Sequence, residues 1–365
     1  MSTGFAISRV VKENPKKLTV NFGGQKGMHV RRNYLRIQEM VKSCATANET
    51  KLFNGLHAAS RSYTFHSEDG LLSMTQFAQP AILVTEKAAF EHLKHFGRVP
   101  PDSVFAGHSL GEFAALSCMT PFMPLKSALK TVFVRGILMQ AAVPRDSTGR
   151  SGYAMVAVDP GRITKGEFHK VSNVTRPSAD ILIITDCRED QVLSIVSTIA
   201  ETTGLLIQMV NLNVRGSQYV CAGDKRCLEV LRKVIDEIHQ RPSLLDAVED
   251  VKALVAEHCK TMETSPTSIV LARGKATVPL KGIDVPFHSA LLRSMKELFR
   301  LTLIDGITKE AVTPDTLVGK WIPNVVGTPF GLDETYLKTV DVLTGSERVR
   351  ALATELKARN AMAVH

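Results

Sequence analysis

The 365-residue chain is predicted to be an α/β protein: a hydrolase-like core with a mostly parallel sheet, carrying an inserted ferredoxin-like α+β subdomain. Three observations predict it. Short β-type runs pass through turns into helical segments, in series, over the first 142 residues, which is the pattern of a parallel sheet with crossover helices. After residue 150 the pattern changes to strand, helix and two strands joined near Gly216, a β-α-β-β order. Hydrophobic residues make up 44% and charged residues 22%, so there is ample apolar material for a sizeable core and long disorder is not expected. The expected boundaries are 1–150 and 225–365 for the core, with a helical segment over 225–262, and 151–224 for the insert.

Each element has its local reason. Lys17–Phe22 alternates and ends in Gly23-Gly24-Gln25-Lys26-Gly27, a strand entering a glycine-rich turn. Ile82, Ala89, Phe90, Leu93 and Phe96 fall on one face of a helix over 81–96. Val99-Pro-Pro-Asp is a turn, and 103–106 is a short strand. A helix follows from Phe113, and another spans 126–142. Tyr153–Val158 is a strand, and Pro160 opens a helix over 160–171. Leu205–Asn213 and Gln218–Ala222 are strands. Leu228, Leu231, Val234, Ile235 and Ile238 make 225–240 strongly amphipathic. A second helix is expected over 244–262 with Ser243 as its cap. A strand over 278–285, a helix over 288–301 and a helix over 346–358 complete the set.

Composition narrows the function. The longest aliphatic runs, Ala81–Val84 and Ile181–Ile184, are far short of the ~18 apolar residues a membrane helix needs. The first residues lack the apolar stretch of a secretion signal, so a cytoplasmic protein is expected and the Asn48 and Asn173 sequons carry no meaning. The six cysteines lie at 44, 118, 187, 221, 227 and 259, with no Cys-x-x-Cys pair, so free thiols are expected and no metal knuckle. The net charge is +9, but the basic residues are dispersed, without a run of five or an interleaved aromatic stripe. No nucleic-acid or membrane partner is expected. The charge suits anionic partners such as phosphorylated carriers, or is a solvated surface.

Gly107-His108-Ser109-Leu110-Gly111 matches Gly-x-Ser-x-Gly, with a predicted strand before it and a helix after it. A serine at such a turn is exposed for attack, and the helix N-terminus offers N–H donors to a developing oxyanion. Serine needs a base. His288 in Val285-Pro286-Phe287-His288-Ser289 follows a predicted strand and opens a predicted helix, and is either that base or a satisfied histidine at a helix start. Asp246, Asp250 and Asp284 precede it, none in an obvious strand-end loop, so a Ser–His dyad is expected. Arg135 lies on an otherwise apolar helix, where a cation is costly unless paired. It pairs with an internal carboxylate or receives a substrate carboxylate bidentately.

Together these motifs are familiar. Gly107–Glu112 with Phe113-Ala-Ala-Leu resembles the active-site segment of malonyl-CoA:acyl-carrier-protein transacylases. The flanks Asn21-Phe-Gly-Gly-Gln-Lys-Gly, Ser62-Tyr-Thr-Phe-His-Ser-Glu-Asp-Gly-Leu-Leu-Ser, Thr75-Gln-Phe-Ala-Gln-Pro-Ala, Met139-Gln-Ala-Ala-Val-Pro-Arg-Asp and Trp321-Ile-Pro-Asn resemble the malonyl/palmitoyl transferase domain of the fungal fatty acid synthase β subunit. The resemblance runs from about residue 15 to about 350 and implies one domain of a much larger subunit.

The resemblance implies roles. Ser109 is the acyl-accepting nucleophile and His288 its base and acid. The N–H groups of Gln25 and Leu110 form the oxyanion hole. Arg135 pairs with the malonyl carboxylate, and Phe287 fits malonyl-selective relatives. Gln79 and Asn213 line the site. The main-chain carbonyl of Asn324 orients the histidine. No permanently bound cofactor is implied: CoA thioesters are substrates, and the phosphopantetheine of an acyl carrier protein is the acceptor. Partners are that carrier, the other domains and the α subunit of a synthase, malonyl-CoA and acyl-CoA. The reaction would be ping-pong, with return of a finished chain from carrier to CoA. Gln25 stands where the fungal proteins carry an acidic residue. Val214-Arg-Gly-Ser-Gln and Cys118-Met-Thr-Pro-Phe-Met-Pro-Leu are less typical, in keeping with a specialised synthase of secondary metabolism. A serine thioesterase or hydrolase, and a non-catalytic assembly module, are the alternative readings.

Overall fold

The computed structural model describes residues 14–42, 53–163, 187–214, 216–245 and 247–363. The sequons, Ile181–Ile184, Asp246 and the expected helix beyond Ile163 lie outside them. In chain order the strands are β1 (Lys17–Asn21), β2 (Ser62–His66), β3 (Phe105–Ala106), β4 (Tyr153–Val158), β5 (Ile207–Val214), β6 (Gln218–Asp224), β7 (Thr277–Pro279) and β8 (Trp321–Ile322). The helices are α1 (Gly24–Lys42), α2 (Thr75–His95), α3 (Leu110–Met119), α4 (Leu125–Ala141), α5 (Cys187–Thr203), α6 (Lys225–Gln240), α7 (Val248–Lys260), α8 (Lys296–Gly306), α9 (Glu334–Thr344) and α10 (Glu347–Ala363). The chain divides into two compact units.

The first unit comprises Met1–Asn21, Ser62–Ile137 and Glu297–His365. Its β1 and β2 form an antiparallel ladder from Lys17↔His66 to Asn21↔Ser62. Phe65 of β2 meets Phe77 of α2 edge to face at 5.0 Å, and Phe77 meets Phe133 of α4 at 6.0 Å. Such pairs add about 0.5–1.5 kcal/mol each beyond burial. They tie the ladder to both helices. Leu83, Leu116, Phe122, Met123, Val132 and Leu317 are buried in one core. β3 pairs with β8 in parallel, Phe105↔Trp321 and Ala106↔Ile322. The α/β class stands, with parallel pairing here and antiparallel ladders elsewhere among the described residues.

The second unit comprises Phe22–Arg61 and Leu138–Lys296. It holds a four-stranded sheet in the order β5-β6-β4-β7, antiparallel throughout. With α5 between β4 and β5, and α6 between β6 and β7, this is a β-α-β-β-α-β unit. It therefore runs past the expected limit at residue 224. The reason is packing: Leu228, Leu231, Val234 and Ile235 of α6 share one core with Val156, Val158, Tyr219 and Cys221 of the sheet. Burial of each large aliphatic side chain stabilises by roughly 1.5–3 kcal/mol. Asp224 caps α6 by accepting from the Arg226 N–H at 2.9 Å. The opposite sheet face carries Met155, Val220 and Ala222, on which Phe287 packs.

Several elements differ from the sequence expectation. The glycine-rich stretch at 23–27 is where α1 begins, with Gly24 at φ 67°. Gly27 suits this turn, since a Cβ there would lie 2.4 Å from the Phe22 carbonyl carbon. Pro242–Leu245 forms a 3₁₀ turn, and α7 starts at Val248 with Ala247 in the cap position, so Ser243 is not the cap. The strand expected over 278–285 is only Thr277–Pro279, because Gly282 at φ 76° turns the chain away. The helix expected over 288–301 is a 3₁₀ segment, Ala290–Met295, followed by α8.

Candidate active site

The serine sits where β3 turns into α3. Ser109 has φ 55° and ψ −103°, a strained conformation for a residue with a side chain. Strain of this kind costs about 1–3 kcal/mol and persists only where neighbours hold it. The glycine before the serine is required by packing. A Cβ on Gly107 would lie 2.1 Å from the carbonyl carbon and oxygen of Gly111, so the turn closes only without one. The Gly111 N–H donates to the His108 carbonyl at 2.9 Å, which closes the elbow. Leu110 is the first residue of α3, where backbone N–H groups have no acceptor within the helix.

The cation beside the serine is placed by a close helix crossing. Gly136 of α4 lies against α2, and a Cβ on it would stand 2.4 Å from the Gln76 Cα. That approach brings Arg135 and Gln79 together. Arg135 Nη1 donates to Gln79 Oε1 at 2.7 Å, and Gln79 Nε2 donates to Thr75 Oγ1 at 2.8 Å. Arg135 Nη2 donates to Ser109 Oγ at 2.9 Å. The guanidinium also lies over the Phe113 ring, 5.5 Å from its centroid. Arg135 is 9% exposed. Burial pushes its pKa down to about 10, against the attraction of Glu112. It stays cationic at neutral pH. Arg135 is thus engaged electrostatically by Glu112 and by hydrogen bonds to Gln79 and Ser109.

A third element completes the elbow. The segment after β8 brings Asn324 against it. Asn324 Oδ1 accepts from the Ser109 N–H at 3.1 Å, and its Nδ2 donates to the Gly107 carbonyl at 2.7 Å. Its own main-chain N–H donates to Glu112 Oε1 at 3.1 Å. The family resemblance implies only a main-chain role for Asn324 and none for Glu112. Glu112 was within reach of the motif Gly-His-Ser-Leu-Gly-Glu. The Asn324 side chain had no sequence signal, standing 215 residues from Ser109.

The remaining candidates belong to the second unit. His288 is exposed and takes φ 63°, a second strained non-glycine residue. Its turn is fixed on both sides. Phe287 seats on the sheet, and the Phe287 N–H donates to the Val285 carbonyl at 2.9 Å. Ser289 is buried and donates its hydroxyl to the Pro286 carbonyl at 2.7 Å. The Ala290 N–H donates to Gln208 Oε1 on β5 at 2.8 Å. Gln25 is exposed in the first turn of α1. Asn213 is exposed at a β-bulge near the end of β5. Of the carboxylates preceding His288, Asp284 is engaged by Arg145 at 2.5 Å, and Asp250 is exposed in the first turn of α7. Thus Ser109, Leu110, Arg135, Gln79 and Asn324 come together in the first unit, and His288, Phe287, Gln25 and Asn213 lie in the second. Among the described residues no group of three His, Cys, Asp or Glu side chains is arranged to hold a metal ion. No helix of the described residues is long and apolar enough to cross a membrane.

A strained serine between two glycines, entering a helix from a strand, defines an α/β protein built on a nucleophile elbow. The chain belongs to the acyl transferase domain family, whose model matches residues 1–348. It is 44% identical over 350 residues to the fatty acid synthase beta subunit hexB of Dothistroma septosporum, covering 96% of this chain and 17% of that protein. It is 40% identical over 349 residues to the fatty acid synthase beta subunit TOXC of Cochliobolus carbonum, covering 95% and 16%. Fatty acid synthase subunit beta of Saccharomyces cerevisiae is 39% identical over 360 residues, covering 96% and 16%. The chain thus spans about a sixth of the length of these relatives. Among solved structures, FabD from Acinetobacter baumannii matches with a TM-score of 0.44 and 21% identity, over 85% of this chain and 71% of that one.

Proposed function

We propose that this chain is a malonyl-CoA:acyl-carrier-protein transferase domain acting in a fungal fatty acid synthase through an acyl-Ser109 intermediate. The observation that carries the reading is the 2.9 Å hydrogen bond from the buried Arg135 guanidinium to Ser109 Oγ. A cation at the nucleophile suits an acyl group that bears its own carboxylate. The relatives, fatty acid synthase beta subunits, support the setting.

In the proposed reaction Ser109 Oγ attacks the thioester carbonyl of malonyl-CoA while His288 takes the hydroxyl proton. The oxyanion rests on the N–H groups of Leu110 and Gln25. The Ser109 N–H is already given to Asn324, so Leu110, at the helix start, supplies the elbow's donor. The carbon–sulfur bond then breaks, and CoA leaves as a thiol with the proton from His288. Malonyl remains as an ester on Ser109, its carboxylate against Arg135, whose guanidinium donates to Gln79. The phosphopantetheine thiol of the carrier attacks this ester, giving its proton to His288. The carbon–oxygen bond breaks, and Ser109 Oγ recovers the proton. The same chemistry run from carrier to CoA returns a finished acyl chain. Asn213 and Phe287 are proposed to line the acyl site, and the Asn324 carbonyl to orient His288. No permanently bound cofactor takes part, the setting is cytoplasmic, and the α subunit of the synthase is a proposed partner.

Intact-mass spectrometry after brief incubation with malonyl-CoA tests the reading. A malonyl adduct that maps to Ser109 and vanishes in Ser109→Ala is the expected result. An adduct that persists in Ser109→Ala would remove Ser109 as nucleophile.

A further inference from the structure

We infer that the Asn324 side chain is a positioning residue that sets the geometry of the nucleophile, acting through the two backbone peptides that lead into Ser109. The inference rests on the proposal that Ser109 is the acyl-accepting group and deepens it.

The amide of Asn324 spans the elbow. Its oxygen takes the Ser109 N–H at 3.1 Å, and its nitrogen gives a proton to the Gly107 carbonyl at 2.7 Å. One planar group thereby fixes the two consecutive peptides on either side of His108, the second of which enters Ser109. The two backbone groups are a carbonyl and an N–H, so only a side chain with one acceptor and one donor in a single plane satisfies both. Asparagine has that pair at the right spacing, whereas a carboxylate has acceptors only. The amide is in turn held in place from behind. The Asn324 main-chain N–H is bound by Glu112 Oε1 at 3.1 Å, and Glu112 stands in the first turn of α3. β8 itself is paired to β3, the strand that enters the elbow. The loop carrying Asn324 and the loop carrying Ser109 are therefore fastened together at three hydrogen bonds and a two-residue ladder.

The consequence lies in the strained torsions. Ser109 at φ 55° and ψ −103° would relax if its N–H and the Gly107 carbonyl were free to rotate. Relaxation would swing Oγ away from Arg135 and turn the Leu110 N–H. The Asn324 amide also occupies the Ser109 N–H, so a developing oxyanion is directed to Leu110 and not to the serine's own N–H. A displacement of about 1 Å at a reacting atom can cost about 100-fold in rate. The effect falls on the chemical step and leaves CoA recognition alone, because Asn324 touches the elbow and not the acyl carboxylate.

Asn324→Asp and Asn324→Ala test this by single-turnover loading from malonyl-CoA. The first keeps the shape and the acceptor but turns the donor into a second acceptor facing the Gly107 carbonyl. The second removes both. Each rate is normalised to folded protein by circular dichroism and measured over a range of malonyl-CoA concentrations. In both variants the saturated loading rate should fall about 10- to 100-fold. The half-saturating concentration should stay within about threefold of the parent, and the adduct should still map to Ser109. Parental rates in either variant would overturn the inference. So would a change confined to half-saturation, or a failure of both variants to fold, since each would make Asn324 a binding or purely structural residue. Loading of the parent chain is the control: if the parent takes no malonyl on Ser109, the functional reading fails before the Asn324 inference is reached.

Discussion

Arg135→Met is the perturbation that separates a substrate-binding arginine from one that merely pairs with Glu112. Methionine fills much of the arginine volume without charge, so packing beside Phe113 is largely kept. What is lost is attraction for the malonyl carboxylate. At about 4 Å and an effective dielectric near 20, two unit charges attract by about 4 kcal/mol. Net values for hydrogen bonds to charged groups run about 1.5–3 kcal/mol. A loss of about 2–4 kcal/mol corresponds to a fall of roughly 30- to 700-fold in the efficiency of malonyl loading. Acetyl-CoA, with no carboxylate, should load at the parental rate or faster, because a buried cation no longer faces an apolar methyl group. The assay is competitive loading of malonyl-CoA and acetyl-CoA, read as the ratio of the two adduct masses. Thermal melting, expected to move by only a few degrees (about 2–4 °C per kcal/mol for a chain of this order), guards against misfolding. An unchanged malonyl-to-acetyl ratio would refute the reasoning and leave Arg135 as an internal partner of Glu112.

Three further outcomes are expected. Gly107→Ala places a Cβ 2.1 Å from the Gly111 backbone, so the elbow must open; single-turnover loading should fall about 100-fold with the far-ultraviolet spectrum unchanged. Arg135 is cationic below about pH 10 and neutral above it, so the malonyl-to-acetyl ratio of the parent chain should fall as pH rises through about 10, and should be flat in Arg135→Met. Asp146 accepts from the Thr148 hydroxyl and from the Thr148 and Arg150 N–H groups, which hold its carboxyl down to about 2. Its contribution to stability is full above the ordinary value of 3.8 and is lost as pH falls toward 2. The melting difference between the parent and Asp146→Ala should therefore be constant above about pH 5 and shrink below pH 4; a difference that persists to pH 2 would mean the turn does not use the charge.

The elbow was legible because its signal is local. Two glycines, a serine, a short strand before and an apolar helix after are all within fifteen residues, and the structure keeps them in that order. Arg135 was legible for an energetic reason, since a cation among Val134, Ile137 and Leu138 demands an explanation. Gln79 was reached only through resemblance; its neighbour Arg135 comes from another helix, and the glycine that lets the helices touch, Gly136, looks unremarkable in the sequence. α6 was read to the residue from its apolar face. Which sheet that face covers was not readable, so the subdomain limit was set too early: β7 arrives 36 residues after α6 ends. α1 was missed because its first turn is built from glycines, which favour turns on propensity alone. The side-chain role of Asn324 depends on pairing between β3 and β8 across more than 200 residues, and no local pattern records such a pairing.

The most direct test of the central claim is the fate of the malonyl group once it is on the protein. Malonyl-loaded chain would be freed of CoA by rapid desalting, then followed by intact mass with and without added pantetheine, the thiol that ends a carrier's prosthetic arm. The account predicts an adduct stable in water over minutes and discharged at least tenfold faster by the thiol, with malonyl-pantetheine formed in equal amount. Equal loss with and without thiol, yielding free malonate, would contradict it and make the chain a hydrolase.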